Sequence, residues 1–294
     1  MKPIEESELI VTANQRLYHI NLHHDDIADT VIVVGDQNRV PFISKYFSKI
    51  ELKSEHREFV AHTGYFNNKR ITVLSTGIGP DNIDIVLTEL DAAVNIDPNS
   101  RTIKENKRQL HIIRLGTSGA LQPDIQVNDI VVSTHGLGLD GLLNFYKVDD
   151  ALFHHDISQA FIQHTQWLKT LPYPYCVSGS TKLIATYQGL ENVHFGITAT
   201  APGFYGPQGR QLRLPPAIPH LNEKLTSFHY QGLRIVNFEM ETSALYGLGK
   251  ALGHQCVTAC VIIANRIIRQ FTKNYHDSVE KLIITSLEKL TSVC

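Results

Sequence analysis

The chain has 294 residues, of which 43% are hydrophobic, and a formal net charge of -2. This length suits one large domain built around a single hydrophobic core. The nearly balanced charge excludes long-range attraction of the whole molecule to nucleic acid or to an anionic membrane, so functional cations must form local clusters.

The cysteines and the N-terminal segment bear on the compartment. The cysteines show no spacing typical of a metal site or a disulfide framework, and they are Cys176, Cys256, Cys260 and Cys294. No apolar run is long enough to cross a membrane, and the N-terminus lacks the basic and apolar segments of a signal peptide. The sequence therefore predicts a cytoplasmic protein without a metal site.

Short β-branched runs alternate with amphipathic helical stretches, as in a buried sheet covered by helices. Three of the predicted strands end in glycine. They span residues 30–34, 71–75 and 111–115, and they end at Gly35, Gly77 and Gly116. Open α/β sheets bind ligands beyond the carboxyl ends of their strands, where glycine lets backbone N–H groups approach an anion. We therefore expect the functional site at these strand ends.

Three helices are predicted from apolar residues at helical spacing. The first begins at Asp81, a favourable N-cap residue. The second carries an apolar stripe over residues 244–252, ends at Gly253 and precedes a strand over residues 257–264. The third covers residues 279–290. Residues 95–109 are polar and are predicted to be an insertion between a helix and a strand, within one domain spanning residues 1–294.

Arg114 is the most informative cation, because it lies inside an otherwise apolar strand. An unpaired charge there would be costly, so its side chain must reach a carboxylate or a bound anion. Thr117 follows in the same glycine-rich segment, and Gly35 with Arg39 could bind the same anion, a phosphate. Taken alone, Gly35 and Arg39 are more typical of a turn followed by a solvated arginine.

Residues 203–210, with the sequence GFYGPQGR, place an aromatic ring, a carboxamide and a guanidinium on one loop. These groups belong to Phe204, Gln208 and Arg210. An aromatic ring can stack on a flat heterocycle, and a carboxamide can both donate to and accept from a pyrimidine edge. The same three residues could instead be one core side chain and two solvated ones.

Glu239, Met240 and Glu241 lie at a predicted junction between a strand and a helix. A carboxylate there can bind vicinal ribose hydroxyls while the methionine packs against the sugar. The alternative is that both acids simply stabilise the first turn of the helix through its dipole.

In combination these motifs resemble the superfamily of purine nucleoside and uridine phosphorylases, and within it the uridine branch. The resemblance runs from about residue 18 to the last helix and implies an α/β fold. That fold is a single-domain, three-layer α/β/α arrangement with a central mixed, partly barrel-like sheet flanked by helices. It also implies a pentosyltransferase of pyrimidine salvage that cleaves uridine with inorganic phosphate, without a cofactor, to uracil and ribose 1-phosphate.

The resemblance further assigns the site residues. The phosphate ligands would be Gly35, Arg39, Arg57, Arg114 and Thr117, and the ribose-binding residues would be His19, Glu239, Met240 and Glu241. The base-binding residues would be Phe204, Gln208 and Arg210, and the catalytic set Arg39, Arg114, Gln208, Arg210 and Glu241. His19 and Arg57 would act across a subunit interface, which implies a homodimer at least, commonly assembled into a hexamer.

Two departures from the family pattern shape the expectations. Asn82 stands where some bacterial members have a serine that, with a glutamate like Glu58, holds a monovalent cation, so a bound cation is not carried over. Purine-specific relatives carry an aspartate after the penultimate strand, where this chain has IANR at residues 263–266 and no carboxylate. This favours a pyrimidine base.

Three other functions stay open at this stage. Purine nucleoside phosphorolysis is the nearest, because the base loop departs from close relatives at residues 201–203 and such loops often determine specificity. A nucleoside or nucleotide hydrolase of the same fold would use water, with the arginines binding a 5′-phosphate. A non-catalytic nucleoside-binding module would retain Phe204 and Gln208 but would have no use for a buried Arg114 facing an anion.

Overall fold

The computed structural model describes residues 2–293, and Cys294 lies outside them. The strands are β1 (Thr30–Val34), β2 (Lys49–His56), β3 (Phe59–Phe66), β4 (Lys69–Ser75), β5 (Ile96–Asp97), β6 (Thr102–Ile103), β7 (His111–Ala120), β8 (Ile130–Gly138), β9 (Tyr175–Ser178), β10 (Val193–Thr200), β11 (His229–Tyr230), β12 (Leu233–Glu239), β13 (Gln255–Asn265) and β14 (Gln270–Phe271). The helices are α1 (Arg39–Ser44), α2 (Pro80–Asn95), α3 (His155–Thr165), α4 (Thr181–Ala185), α5 (Leu221–Ser227), α6 (Thr242–Ala251) and α7 (His276–Val293).

Five strands of the central sheet close into a barrel. They pair in the order β7, β13, β8, β10 and β12, and β12 pairs again with β7. The pairings β7–β13, β8–β10 and β10–β12 are parallel, whereas β13–β8 and β12–β7 are antiparallel. From β7 the sheet continues outward through β1 and β4 to β3 and β2. The expected mixed, partly barrel-like sheet is confirmed.

Helices cover both faces of the sheet, and β1 shows why. All five of its residues are buried, and successive side chains of a strand point to opposite faces. Val31 and Val33 belong to the core cluster that contains α2 and α6, whereas Ile32 and Val34 belong to the one that contains α1 and α7. The continuous apolar run is therefore the expected signature of a central strand with a helical layer on each side.

Two local predictions were wrong. The third glycine-ended strand does not stop at Gly116, because β7 runs on to Ala120. A Cβ at Gly116 would lie 2.6 Å from Arg114 Nη1, so this glycine provides space for a side chain and does not end the strand. Asp81 is not the N-cap of α2: Gly79, with φ 101°, holds that position and Pro80 is the first helical residue.

The other element predictions are confirmed within a few residues. They are the second and third helices and the strand before the C-terminal region. Residues 95–109, predicted to be an insertion, contain the β5–β6 hairpin between α2 and β7. Among residues 2–293, no helix combines the length and the apolar character needed to cross a membrane.

Candidate active site

A cavity of about 1020 Å³ lies at the carboxyl ends of β1, β4, β7, β12 and β13. All predicted site residues except His19 and Arg57 line this cavity. The lining residues among them are Gly35, Arg39, Arg114, Thr117, Phe204, Gln208, Arg210, Glu239, Met240 and Glu241. Predicted site residues separated by as many as 206 positions in the sequence thus line the same cavity. The cavity lies at the strand ends where the sequence predicts the site, and the roles of its residues stay predictions.

Arg114 is buried and meets two carboxylates. Its Nη2 donates to Glu241 Oε2, and its Nη1 lies 3.3 Å from Glu239 Oε2 and 3.2 Å from Cys260 Sγ. Burial by itself would lower the pKa of Arg114, but Glu241, Cys260 and Glu239 together raise that pKa above its ordinary value. The guanidinium therefore remains charged, and Gly116 leaves room for it.

One donor of Arg114 is not used by the protein. Among residues 2–293, the Nε atom of Arg114 is buried and has no hydrogen-bond partner. A buried donor without a partner is costly, so the site favours a ligand that accepts from it. The carboxylates of Glu239 and Glu241 thus pair with the two Nη groups, and the Nε donor has no acceptor among the described residues.

Glu239 and Glu241 have different environments. The Glu239 carboxylate accepts from Thr200 Oγ1 at 2.7 Å and from the backbone N–H groups of Glu241 and Thr242 at 2.9 to 3.1 Å. It therefore fixes the turn from β12 into α6. Glu241 Oε1 accepts from the Gly79 N–H at 2.8 Å. Burial, opposed by Arg114, raises the pKa of the Glu241 carboxyl.

Arg39 adds a second guanidinium to the strand ends. It is the first residue of α1, and its Nη1 donates to the Leu115 carbonyl at 3.2 Å. Burial and the neighbouring Arg114 both lower its pKa, and no carboxylate of the described chain forms an ion pair with it. Two neighbouring guanidiniums, of which Arg39 has no carboxylate partner among the described residues, favour a bound anion.

The base loop, residues 203–210, brings its three predicted residues together. Arg210 Nη1 donates to the Phe204 carbonyl and to Gln208 Oε1, the latter at 2.6 Å. The Arg210 guanidinium lies 3.7 Å from the centre of the Phe204 ring. Phe204 is 51% exposed and Gln208 only 4%, so the ring faces open space while the carboxamide is held in the wall.

Sequence analysis missed Arg266 and Phe271 as lining residues. Arg266 follows β13, and its Nη1 donates to the Gln208 carbonyl at 3.2 Å. Burial and then Arg266 lower the pKa of Arg210 to about 10. The signal available was the basic residue directly after a long apolar strand, but its contact with the base loop joins residues 58 positions apart and leaves no local sequence signal.

Asn265 has a structural role. Its Nδ2 donates to the carbonyls of Gln122 and Ile125, and its Oδ1 accepts from the N–H groups of Ile267 and Ile268. Every polar atom of this buried carboxamide is thus engaged by backbone. Asn265 supports the turn after β13 and is not part of the cavity lining.

His19 and Arg57 lie together outside the cavity. Arg57 Nη2 donates to Tyr18 Oη at 3.3 Å, and the guanidinium lies 5.5 Å from the centre of that ring. His19 Nδ1 is 2.6 Å from Glu89 Oε1. Their assignment to phosphate and ribose through a subunit interface stays a prediction.

Comparison with known proteins places this site in context. The family model described as the phosphorylase superfamily matches residues 29–292. The chain is 30% identical to a uridine phosphorylase of Thermococcus kodakarensis over 266 residues, which is 87% of this chain and 80% of the relative. It is 26% identical to a DeoD-type purine nucleoside phosphorylase of Buchnera aphidicola, over 92% of this chain and 98% of the relative.

Among solved structures, the chain is similar to a nucleoside phosphorylase of Trypanosoma brucei described as having uridine phosphorylase activity. The TM-score is 0.86 with 29% sequence identity, and the match covers 97% of this chain and 99% of the other.

Proposed function

The chain belongs to the phosphorylase superfamily, and we propose that it is a nucleoside phosphorylase that converts uridine and inorganic phosphate to uracil and ribose 1-phosphate. The main support is the cavity in which the Arg114 guanidinium, with its unpartnered Nε, faces the same space as the base loop. An anion site and a heterocycle site in one cavity are what a phosphorolytic cleavage requires.

Phosphate would be held by Arg39, Arg114 and Thr117 at the strand ends. Fixing it beneath the anomeric carbon turns a bimolecular encounter into a positioned attack, a large part of the catalysis available to such an enzyme. Glu241 would orient the ribose through its hydroxyls, because its carboxylate is held in place by Gly79 and Arg114.

The bond changes balance without a nucleophilic side chain. A phosphate oxygen forms the new bond to C1′ as the C1′–N1 bond breaks, and the bonding pair leaves on the uracil. The uracil N1 then takes up one proton, which balances the proton that hydrogen phosphate loses. Positive charge grows on the ribose, where the phosphate dianion stabilises it, as carboxylates do in glycosidases. Gln208, Arg210 and Arg266 lie where they can donate to the uracil carbonyl oxygens that take up the negative charge.

The proposed active unit is a homodimer in which His19 and Arg57 complete the partner's site. Support comes from their position outside their own cavity, while Glu58, the next residue after Arg57, lines it. We propose phosphate as co-substrate and no cofactor. The buried thiols of Cys176, Cys256 and Cys260 are free, which fits a reducing cytoplasm.

Purine nucleoside phosphorolysis is the second candidate, favoured by the match to the DeoD-type relative. It would require a group that protonates or hydrogen-bonds the purine at the end of β13. Asn265 is already engaged by four backbone groups there, and Arg266 is a cation. The pyrimidine assignment is therefore preferred.

The test is ultraviolet-monitored release of free base from uridine, thymidine, inosine and adenosine, each with and without inorganic phosphate. Phosphate-dependent cleavage of uridine and its analogues alone is the expected result. Phosphate-dependent cleavage of inosine or adenosine would transfer the protein to the purine group. Cleavage that does not need phosphate would make it a hydrolase and overturn the proposal.

A further inference from the structure

A second cavity, of about 600 Å³, adjoins the candidate active site. Most of its wall is formed by residues 205–218, with Leu139 and Trp167 from elsewhere in the chain. Arg210 lines both cavities. We refer to it below as the loop cavity.

The lining of the loop cavity is apolar with two cations. Its wall consists mainly of leucine, proline and aromatic side chains, and its charged members are Arg210 and Arg213. Within the described chain, no carboxylate lines it and neither arginine forms an ion pair. Arg210 donates only to a carbonyl and a carboxamide, so the positive charge beside this apolar space is not neutralised by the protein.

The rim of the loop cavity exposes more apolar surface than a solvated loop needs. Leu212 is 73% exposed, Leu214 80% and Tyr205 56%. Exposed apolar groups gathered around a concavity are typical of a binding surface. The volume is also within the range of small-molecule sites, which are mostly apolar with a few convergent polar groups.

We propose that the loop cavity binds a small amphipathic carboxylate, with its apolar chain or ring among the leucines and prolines and its carboxylate beside Arg213 and Arg210. The positive charge of the lining determines the class of ligand. An amine would be repelled by the two unpaired guanidiniums, and an uncharged chain would leave them unpaired. A nucleoside does not fit this wall, because its many hydroxyls and carbonyls would lack partners there.

Binding in the loop cavity also couples to the candidate active site. A carboxylate that attracts the Arg210 guanidinium competes with the Gln208 carboxamide for it, and so disturbs the base loop. We expect such a ligand to weaken uridine binding, and uridine to weaken ligand binding by the same factor, with a higher KM for uridine as the kinetic sign of this coupling. This coupling rests on the proposed function, whereas ligand binding itself does not.

Direct titration calorimetry with octanoate tests the binding, with octan-1-ol as the matched uncharged ligand. We expect saturable binding of octanoate, weaker binding of octan-1-ol, and affinity that rises about three- to four-fold per methylene from hexanoate to decanoate. Equal affinity for acid and alcohol would overturn the charge assignment. Complete displacement by saturating uridine would place octanoate in the active-site cavity and also overturn the proposal.

Two variants locate the site. Arg213→Gln removes one cation, and Leu214→Asp adds an anion at an exposed position where folding is not at risk. Each should weaken octanoate binding about five-fold or more, and both should turn over uridine normally in its absence. Ile10→Asp, at another half-exposed apolar residue, is the matched control and should bind octanoate normally.

Other occupants of the loop cavity give different results. If a second copy covers it, wild-type protein should associate with rising concentration and Leu214→Asp should not, with no octanoate binding. If a membrane surface covers it, the protein should bind anionic vesicles and ignore monomeric octanoate. Either result would overturn the proposal. Failure of uridine turnover would reject the proposed function and leave the calorimetric result unaffected.

Discussion

The two walls of the active-site cavity are built in different ways. The strand wall is formed where β1, β7 and β12 end, and its charged groups, Arg114, Glu239 and Glu241, are buried and paired. The base loop is a single 3-10 turn between irregular segments, and its aromatic Phe204 is half exposed. Its cation, Arg210, has no carboxylate partner in the described chain.

The difference separates two tasks. A buried, ion-paired arginine on a central strand has almost no freedom, which suits groups that must hold phosphate and ribose in a fixed attack geometry. A loop with an unpaired guanidinium can adapt to different bases. The structure therefore favours reaction chemistry that depends on the strand wall and base selection that depends on the base loop.

The largest expected effect comes from breaking the strand wall at Arg114. Arg114→Ala should lower kcat/KM for phosphate by about 10³-fold, because a preorganised charge at the reacting anion is lost. It also leaves Glu239 and Glu241 buried without a counter-charge, which should lower the free energy of unfolding by about 3–5 kcal/mol. Steady-state kinetics and urea unfolding measure the two effects.

Arg114→Lys separates the two effects. It keeps the charge between the carboxylates but loses the forked donor geometry. We expect a folded protein near wild-type stability whose kcat/KM for phosphate is still about 10²-fold lower. Full activity in this variant would show that only charge, and not the Nε and Nη donors, matters at the strand wall.

The second test compares glycines of the two walls. In Gly116→Ala the new methyl would lie 2.6 Å from Arg114 Nη1 and 3.0 Å from Cys260 Sγ, so the guanidinium must shift. A displacement of this size should lower kcat/KM for phosphate about 10²-fold. Gly206→Ala, on the base loop, has no atom within 4 Å of its new Cβ and is the matched control. Similar losses in both variants would contradict the steric explanation.

The strand wall was largely predictable from sequence, for physical reasons. In β1 four consecutive apolar residues follow Thr30, so its burial on both faces and its end at Gly35 follow from the local pattern. A lone arginine in an apolar strand requires a counter-charge, and Arg114 indeed meets Glu241. Each inference follows from the free-energy cost of burying polar or charged groups without partners.

What sequence could not predict depends on contacts between distant segments. Gly116 ended the predicted strand, yet β7 continues through it because β7 stays paired with β13, and the glycine leaves room for the Arg114 side chain. Arg266 was not recognised as a lining residue, because its hydrogen bond to the Gln208 carbonyl joins residues 58 positions apart. Closure of the barrel by β12 and β7 is likewise a long-range pairing with no local signal.

A smaller effect is expected from the base loop. Gln208→Ala removes the buried carboxamide and also frees Arg210, so uridine should lose about 10-fold in kcat/KM relative to cytidine. KM for phosphate should stay near the wild-type value, because the strand wall is intact. Gln211→Ala, at an exposed glutamine just beyond the loop, is the control. A change in phosphate KM as large as the change in base selection would show that the two walls are not separate.

The smallest effect on turnover is expected at β8, which contributes to neither wall. Burial, followed by His154 and Lys250, lowers the pKa of His135 to about 4, although Asp156 opposes this. Because the unfolded chain takes up a proton near pH 6.5 and the native chain resists it, the free energy of unfolding should fall as pH drops from about 6.5 to about 4.

His135→Gln should remove this part of the acid sensitivity, because the side chain no longer titrates in either state. Urea unfolding at several pH values between 7 and 4.5 gives the comparison, and the carboxylates that also titrate there cancel between wild type and variant. Uridine turnover at pH 7 should be unchanged, since His135 does not line the cavity. An unchanged acid slope would mean that the native fold accepts the proton on His135 as readily as the unfolded chain does. A loss of turnover would show that the barrel transmits changes from β8 to the active-site walls, and the separation of chemistry from scaffold would then be incomplete.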